Sequence, residues 1–275
     1  MKRHDFLKGL HRNYRPRNYF EIGVNDGRSL TLSRVPSIAI DPAFVVKEPI
    51  SCDVRLVKAT SDAFFARKDP LGHLRSGRNP FRALARRNPR SYFGDATLEL
   101  SFIDGMHLFD FAFRDFINVE RNSKWSSLIV SDDMLPRDVD EAARDRHTRA
   151  WTGDVYKMIE VLNRYRPDLV VVPVDTEPTG VLLVFGADPT NTVLKDKYDE
   201  IIKEFVVPDP QDVPESILTR VHAVDPDKFL AADFWHDLVR ARNMGRSAGA
   251  FKALRPRIEA TVRDSLTTPR VPVAK

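Results

Sequence analysis

The chain has 275 residues, of which 42% are hydrophobic, and its 43 Lys and Arg residues against 39 Asp and Glu residues give a net charge of +4. This composition predicts a globular protein with a sizeable core and excludes a disordered chain. The net positive charge is small for a chain of this length, so the composition does not by itself indicate nucleic-acid binding. A single cysteine excludes an intramolecular disulfide and a cysteine-rich metal site. No stretch reaches the length of a membrane span, and a cytoplasmic protein is the expectation.

The chain begins with a basic segment and then a strand that ends in a glycine-rich turn. We expect residues 1–17 to form a partly helical segment on the solvated surface. Residues 19–22 predict a strand that leads into Gly23-Val-Asn-Asp-Gly27, and a helix is predicted to begin at Ser29. Such a turn lets the backbone approach a ligand, and a helix amino end offers free N–H groups. Asn25 can take the left-handed conformation that glycine would otherwise supply. The pattern favours a nucleotide-type cofactor site.

Two acidic residues strengthen this interpretation. Glu21 lies at the end of the first predicted strand, and Asp41 follows the second one, residues 37–40. Asp41 comes about twenty residues after the glycine turn, a spacing that suits a carboxylate accepting hydrogen bonds from a ribose diol. The alternative is that Asp41 only stabilises a turn before Pro42.

A third predicted strand, residues 55–59, leads into Ser61 and Asp62. Either residue could cap the helix that is predicted to start there. On a third parallel strand beside the first two, however, Asp62 would face a bound base and accept a hydrogen bond from an exocyclic amine. Both interpretations stay open from the sequence alone.

The strongest pattern lies between Leu98 and Asp133, where two apolar runs end in carboxylates. Asp104 closes the first run, and Asp132 with Asp133 closes the second. The segment between them has the apolar spacing of an amphipathic helix, at Phe109, Ala112, Phe113, Phe116 and Ile117. A strand, a helix and a strand form a crossover unit, which makes the strands parallel. The three carboxylates, with His107 just after the first, should therefore meet at the edge where open α/β sheets bind ligands.

Carboxylates gathered at one sheet edge predict a divalent cation. Asp104, Asp132 and Asp133 would repel one another without a positive charge among them, and oxygen ligands favour Mg²⁺. His107, three residues after Asp104, would project from the same rim and could take a proton from a substrate hydroxyl. The alternatives are that the acids cap helices or pair with arginines, and that His107 is hydrogen-bonded at a helix start.

The segment after Asp133 carries Arg149 and Trp151, which we interpret as a substrate wall or lid because it leaves the same edge. Packing of Trp151 in the core is the alternative. A helix is predicted over Val155–Leu162. Two apolar runs then follow, residues 169–174 and 181–185; the short turn between them predicts an antiparallel hairpin.

Two stretches depart from this alternating pattern. Residues 67–92 are rich in arginine, and we expect a solvated loop or helix; a gate that attracts an anionic substrate and a nucleic-acid contact are the alternatives. Residues 188–275 predict helices separated by a proline-rich segment, residues 207–214. This helical extension could cover the site or mediate homo-oligomer formation.

Together these motifs resemble class I S-adenosylmethionine-dependent O-methyltransferases. Within that class they resemble the metal-dependent group that includes catechol O-methyltransferase and macrolide-sugar enzymes such as macrocin O-methyltransferase. The resemblance rests on Phe102-Ile-Asp-Gly-Met-His107 followed by Ser131-Asp-Asp133, more than on Glu21-x-Gly23-x-x-x-Gly27. It covers residues 18–187 and implies a Rossmann-like, doubly wound α/β domain with a mostly parallel seven-stranded sheet and an antiparallel terminal hairpin.

The resemblance also implies roles for single residues. The residues implied to bind S-adenosylmethionine are Glu21, Gly23, Asn25, Gly27, Asp41, Ser61, Asp62 and Asp104, with Asp41 on the ribose and Asp62 near the adenine. Asp104, Asp132 and Asp133 would hold Mg²⁺, and His107 would accept the proton while the hydroxyl oxygen attacks the sulfonium methyl group. His107 stands where catechol O-methyltransferase has a catalytic lysine and the sugar enzymes a histidine, which favours a sugar or aliphatic hydroxyl.

Two other classes of protein share parts of the pattern. A nicotinamide oxidoreductase would share the glycine turn and Asp41, but it would not need three acids at the rim. A nucleic-acid methyltransferase would fit the basic residues 67–92, yet the chain lacks a motif like Asn-Pro-Pro-Tyr, which amine methylation uses. We therefore expect a small hydroxylated molecule as substrate, and neither nucleic acid nor a membrane as partner.

Overall fold

The computed structural model describes residues 1–76 and 96–270. Within these ranges the strands are β1 Tyr19–Ile22, β2 Ser37–Ile40, β3 Val54–Val57, β4 Leu100–Ile103, β5 Leu128–Asp132, β6 Val170–Val174 and β7 Val181–Phe185. They form one sheet in the order β3-β2-β1-β4-β5-β7-β6. β7 runs antiparallel to β5 and β6, and the remaining pairs are parallel. The predicted parallel sheet with an antiparallel terminal hairpin is confirmed.

Helices cover both faces of the sheet. They are α1 Arg3–Tyr14, α2 Ser61–Phe65, α3 Gly72–Ser76, α4 Phe109–Arg121, α5 Lys157–Tyr165, α6 Val193–Asp196, α7 Tyr198–Phe205, α8 Glu215–Leu218, α9 Pro226–Leu230, α10 Phe234–Asn243 and α11 Gly249–Asp264. Strand side chains alternate between two cores: Ile129 packs with α4, whereas Leu128 and Val130 pack with α1 and α10. The result is the three-layer arrangement of a doubly wound fold.

The expectation that residues 1–17 lie on the solvated surface was wrong. Phe6, Leu10 and Tyr14 are buried in the core that α1 shares with the sheet. These residues recur every four positions and give α1 an apolar stripe. The Tyr14 hydroxyl also donates a hydrogen bond to the backbone oxygen of Ser126. The basic residues dominate the composition of the segment and mask this stripe.

The helix that was predicted to begin at Ser29 is also absent from the described structure, since only one 3₁₀ turn, Leu30–Leu32, follows the glycine loop. β2 begins at Ser37, so four residues remain to bring the chain back to the sheet. Pro36, directly before β2, lacks the N–H that a helix interior needs. The loop after β1 therefore presents turn backbone, not the amino end of an α-helix.

The helices predicted after residue 187 are present, and α11 adds one that was not singled out. Phe251, Leu254 and Ile258 place α11 on the sheet face that α1 and α10 also cover, although Pro256 lies inside the helix. Of the Arg-rich residues 67–92, positions 77–92 lie outside the described residues. Across the described ranges, no helix is both long and apolar enough to cross a bilayer.

Candidate active site

The site lies where the order of the sheet reverses. β1 and β4 are neighbours, and the connections that leave their carboxyl ends go to opposite sides of the sheet. Open α/β sheets bind ligands in the crevice at such a switch point. The glycine loop follows β1, and Asp104 with His107 follows β4, so the two strongest sequence motifs adjoin each other here.

The glycine loop needs its glycines for both conformation and space. Gly23 and Gly27 each have φ +89°, and Asn25 has φ +48°, the left-handed conformation predicted for it. A Cβ atom on Gly23 would overlap the backbone oxygen of Asp104. Gly23 therefore allows the loop after β1 to pack directly against the end of β4.

Asp41 fixes the same loop from β2. One carboxylate oxygen accepts a hydrogen bond from the Asn25 N–H at 2.9 Å, and the other accepts from the Ala43 N–H at 2.6 Å. Asp41 therefore stabilises the turn around Pro42, which is the alternative that the sequence left open. Each carboxylate oxygen retains a second lone pair, so binding of a ribose diol stays a prediction.

Glu21 lies inside the protein, not on an open surface. Its side chain is fully buried and accepts hydrogen bonds from the Tyr19 hydroxyl at 2.6 Å and the Ser29 hydroxyl at 3.0 Å. Burial raises the pKa of Glu21 to about 8 despite these hydrogen bonds. The carboxyl group joins β1 to the residue that precedes the 3₁₀ turn, which is a supporting position beside the glycine loop.

Ser61 and Asp62 both contact α4. Thr60, not Ser61 or Asp62, accepts the capping hydrogen bond at the start of α2. The Ser61 hydroxyl donates to Asp115, and Asp62 forms an ion pair with Arg114 at 3.3 Å. Asp62 keeps half of its side chain exposed, so the predicted contact with a base stays open to it.

The structure brings together Asp104, His107 and Asp133. The His107 ring nitrogens lie 3.5 Å from Asp104 Oδ1 and 3.1 Å from Asp133 Oδ2. One possible ligand atom from each of the three residues lies within 4.8 Å of the others. Asp133 has φ +61° just beyond the end of β5, and this conformation turns the chain out of the strand. Two of the three predicted carboxylates, Asp104 and Asp133, thus meet at the sheet edge with His107, and Asp132 is not part of this group.

Asp132, the last residue of β5, differs from its neighbours. Its side chain is only 2% exposed, and its two oxygens accept no hydrogen bond from any residue that the structure describes. The guanidinium group of Arg3 contacts Asp132 and lies 3.3 Å from Asp104 Oδ2. Arg3 is a site residue that the sequence analysis missed; the apolar stripe of α1 is the signal that could have placed it.

The electrostatics of the cluster favour protonation of its histidine. Burial by itself would lower the pKa of His107, but the hydrogen bond to Asp104 and the charges of Asp133 and Asp104 outweigh it and raise the pKa to about 9. Burial, and then the charge of Asp104, raise the pKa of Asp133. Thr179, in the turn before β7, donates a hydrogen bond to Asp133. The cluster therefore concentrates negative charge that His107 and Arg3 offset only in part.

Trp151 belongs to the site. Its ring stacks on the His107 ring with centroids 5.4 Å apart and planes 9° apart, and its backbone oxygen lies 2.9 Å from His107 Nδ1. The indole N–H donates to the Ala143 oxygen at 2.6 Å, which fixes the ring. Gly153 permits this approach, because a Cβ atom there would overlap the backbone oxygen of His107.

A cavity of about 480 Å³ opens beside the cluster. His107, Asp133 and Thr179 form one part of its wall, and Trp151 and Arg149 another. Arg137 and Arg146 also line it, and Arg137 is paired with Glu141 at 2.7 Å. The volume is sufficient for a small molecule. The two residues predicted to contact substrate thus share a cavity with the predicted proton acceptor.

Comparison with known proteins gives structural likeness only. No protein-family model and no curated protein sequence matches the chain. Among solved structures, it is similar to the O-methyltransferase TomG from Streptomyces achromogenes in complex with S-adenosylmethionine, with 17% identity, a TM-score of 0.45, and coverage of 67% of this chain and 79% of that one. For the methyltransferase PaMTH1 from Podospora anserina, bound to S-adenosylhomocysteine, the identity is 11% and the TM-score 0.43, with coverage of 67% of this chain and 78% of that one. For an O-methyltransferase from Bacillus cereus with the same ligand, the identity is 13% and the TM-score 0.37, with coverage of 66% of this chain and 80% of that one.

Proposed function

We propose that the chain is an S-adenosylmethionine-dependent O-methyltransferase, assisted by Mg²⁺ or a similar divalent cation, that acts on a hydroxyl of a small molecule. The acceptor would be a sugar moiety or a catechol-like compound. One observation carries this proposal. The glycine loop packs at Gly23 on the backbone of Asp104, and the Asp104 side chain belongs to the cluster with His107 and Asp133. A cofactor cradle and an acid cluster that share one residue can place a methyl donor beside an activated hydroxyl.

On the cofactor side, backbone shape supports the proposal. Gly23, Asn25 and Gly27 would cradle the methionine portion, because all three have positive φ angles and the two glycines carry no side chain that would obstruct the loop. Asp41 would accept from the ribose hydroxyls, and Asp62 would approach the adenine. S-adenosylmethionine, when bound, supplies the electrophilic methyl group.

The residues present also fit a divalent cation. Asp104 and Asp133 face each other across His107, and the buried oxygens of Asp132 are without a hydrogen bond from the described residues. Buried carboxylates are costly unless positive charge joins them, and Arg3 with protonated His107 supplies two positive charges for three carboxylates. Asp104, Asp132 and Asp133 would hold the ion, which would supply charge that orients a substrate hydroxyl and lowers its pKa.

His107 would accept the proton from the acceptor hydroxyl. With a pKa near 9 it holds its own proton at neutral pH, because Asp104 and Asp133 stabilise the imidazolium form. A positive charge shared by those two carboxylates would oppose this effect and lower the pKa of His107. The His107 ring, which stacks on Trp151 and lines the cavity, would then act as a neutral base.

Ligand-dependent melting followed by methyl-transfer assays tests the proposal. We expect S-adenosylhomocysteine, and not NAD, to raise the melting temperature. We expect transfer of a labelled methyl group from S-adenosylmethionine to a member of a panel of hydroxylated sugars and catechols, and loss of transfer with a chelator. Stabilisation by NAD alone would favour an oxidoreductase. Salt-sensitive RNA binding with methylation of RNA would favour a nucleic-acid enzyme.

A further inference from the structure

The acid cluster already contains a positive charge that comes from the first turn of α1. The Arg3 guanidinium contacts Asp132 and lies 3.3 Å from Asp104 Oδ2. Three-quarters of the Arg3 side chain is removed from solvent, and Asp132 is almost completely buried. This contact is an ion pair of low exposure, which is far less screened than a surface pair.

The backbone holds Arg3 in this place. The Arg3 N–H donates to the Glu177 oxygen at 3.1 Å, and the Glu177 N–H donates to the Met1 oxygen at 2.9 Å. Glu177 lies in the turn between β6 and β7, which also carries Thr179, the hydrogen-bond donor to Asp133. Phe6, buried one turn further on, anchors the helix. The start of α1 is therefore fastened to the same turn that supports the cluster.

Arg3 occupies carboxylates that the proposed cation would need. The Arg3 guanidinium group supplies positive charge to both Asp132 and Asp104. A divalent ion bound to Asp104 and Asp132 would lie within a few ångströms of the guanidinium, where like charges repel strongly in a buried setting. The ion and the Arg3 guanidinium group would therefore compete for these two carboxylates.

We propose that Arg3 is an internal counter-cation of the acid cluster, and that a divalent ion binds there by displacing its guanidinium group from Asp104 and Asp132. This inference rests on the metal site of the proposed function. Arg3 is a positioning residue in this account, and it sets the affinity for the ion. It does not touch the reacting atoms.

Calorimetric titration of the full chain with Mn²⁺ tests the inference. We expect Arg3→Gln to lower the dissociation constant for Mn²⁺ by about tenfold or more, because one competing charge is removed from the site. Arg3→Lys keeps the charge and should stay close to the unaltered protein. Lys2→Gln, an exposed neighbour whose removal changes the net charge equally, is the matched control and should also leave the affinity unchanged.

Equal or weaker Mn²⁺ binding by Arg3→Gln would overturn the inference. If S-adenosylhomocysteine still raises the melting temperature and the unaltered protein still binds Mn²⁺, the proposed function survives that result. Absence of Mn²⁺ binding in every variant would remove the metal site and this inference together. Should Arg3→Gln not fold, Arg3→Met, which keeps an unbranched stem without the charge, takes its place: tighter Mn²⁺ binding supports the inference, and equal or weaker binding refutes it.

Discussion

The sheet edge that carries the candidate site has two halves, and different interactions stabilise them. Beside β1 and β2, polar groups satisfy one another: Asp41 binds the backbone of the glycine loop, and Glu21 is hydrogen-bonded at both oxygens. Beside β4 and β5, Asp104 and Asp133 share His107, and the Arg3 guanidinium contacts Asp104 and Asp132, so that two positive groups face three carboxylates. The first half is complete in itself, whereas the second half retains unbalanced negative charge.

This difference teaches what each half can recognise. A self-satisfied loop with positive φ angles offers shape and backbone groups, so its function should be sensitive to added atoms. A cluster of buried carboxylates offers charge, so its function should be sensitive to the loss of one charge even when shape is kept. Substitutions that change only shape or only charge can therefore separate the two.

The largest effect is expected from Asp133→Asn, which removes charge and keeps shape. Asparagine tolerates the left-handed conformation at this position, so the fold should persist. We expect the rate of methyl transfer to fall by about a hundredfold to a thousandfold, because ion binding and proton acceptance by His107 both depend on this carboxylate. Steady-state assays measure the loss. Asp145→Asn, an exposed acid in the following segment, is the control, and an equal loss there would contradict the assignment.

Gly23→Ala changes shape and keeps charge. Its Cβ would overlap the Asp104 oxygen in a backbone conformation with φ +89°. We expect the free energy of unfolding to fall by about 1 to 3 kcal/mol or more, with loss of S-adenosylhomocysteine binding. Gly249→Ala, at the start of α11 where a Cβ meets only an ordinary contact, should be neutral or stabilising. Denaturant unfolding distinguishes the two, and similar results for both would show that the loop tolerates side chains.

A pH-dependent effect is expected from Glu21. Its pKa near 8 in the folded protein exceeds the value of 4.5 for an unburied glutamate. The folded state therefore holds a proton that the unfolded state releases, so stability falls as pH rises from about 4.5 to about 8, by up to about 1.4 kcal/mol per pH unit. Glu21→Gln should flatten this slope in unfolding measurements, while Glu160→Gln on the exposed side of α5 should not. An unchanged slope in Glu21→Gln would show that the carboxyl group is ionised in the fold.

The smallest effect is expected at the wall of the cavity. Trp151→Leu removes the ring that stacks on His107, and we expect KM for the acceptor to rise roughly threefold to tenfold, since aromatic stacking contributes about 0.5 to 1.5 kcal/mol. Trp125→Leu, at the opposite edge of the sheet before β5, is the matched control. A change in the Mn²⁺ affinity of Trp151→Leu with constant KM would place the ring in the cluster and not in the substrate wall.

The sequence predicted those features that depend on local periodicity. Apolar runs that end in acids located β4 and β5, and the short turn after Val174 predicted the antiparallel hairpin, because both follow from side-chain alternation and loop length. The convergence of Asp104, His107 and Asp133 followed from parallel strand direction.

Features that depend on distant packing were not predicted. Arg3 lies 101 residues from Asp104 in sequence, and only the packing of α1 on the sheet brings the two together. The single 3₁₀ turn after Ser29 reflects the short path to β2, and α11, which was not singled out, packs on the sheet through Phe251, Leu254 and Ile258. In each case tertiary contacts outweighed local preference.

Titration with Mn²⁺, followed by electron paramagnetic resonance in the presence of saturating S-adenosylhomocysteine, tests the central claim most directly. Free Mn²⁺ gives a sharp signal that diminishes on binding. We predict one site in the unaltered protein and much weaker binding in Asp133→Asn. A free-ion signal that is undiminished by the protein, or diminished equally by Asp133→Asn, would contradict the account.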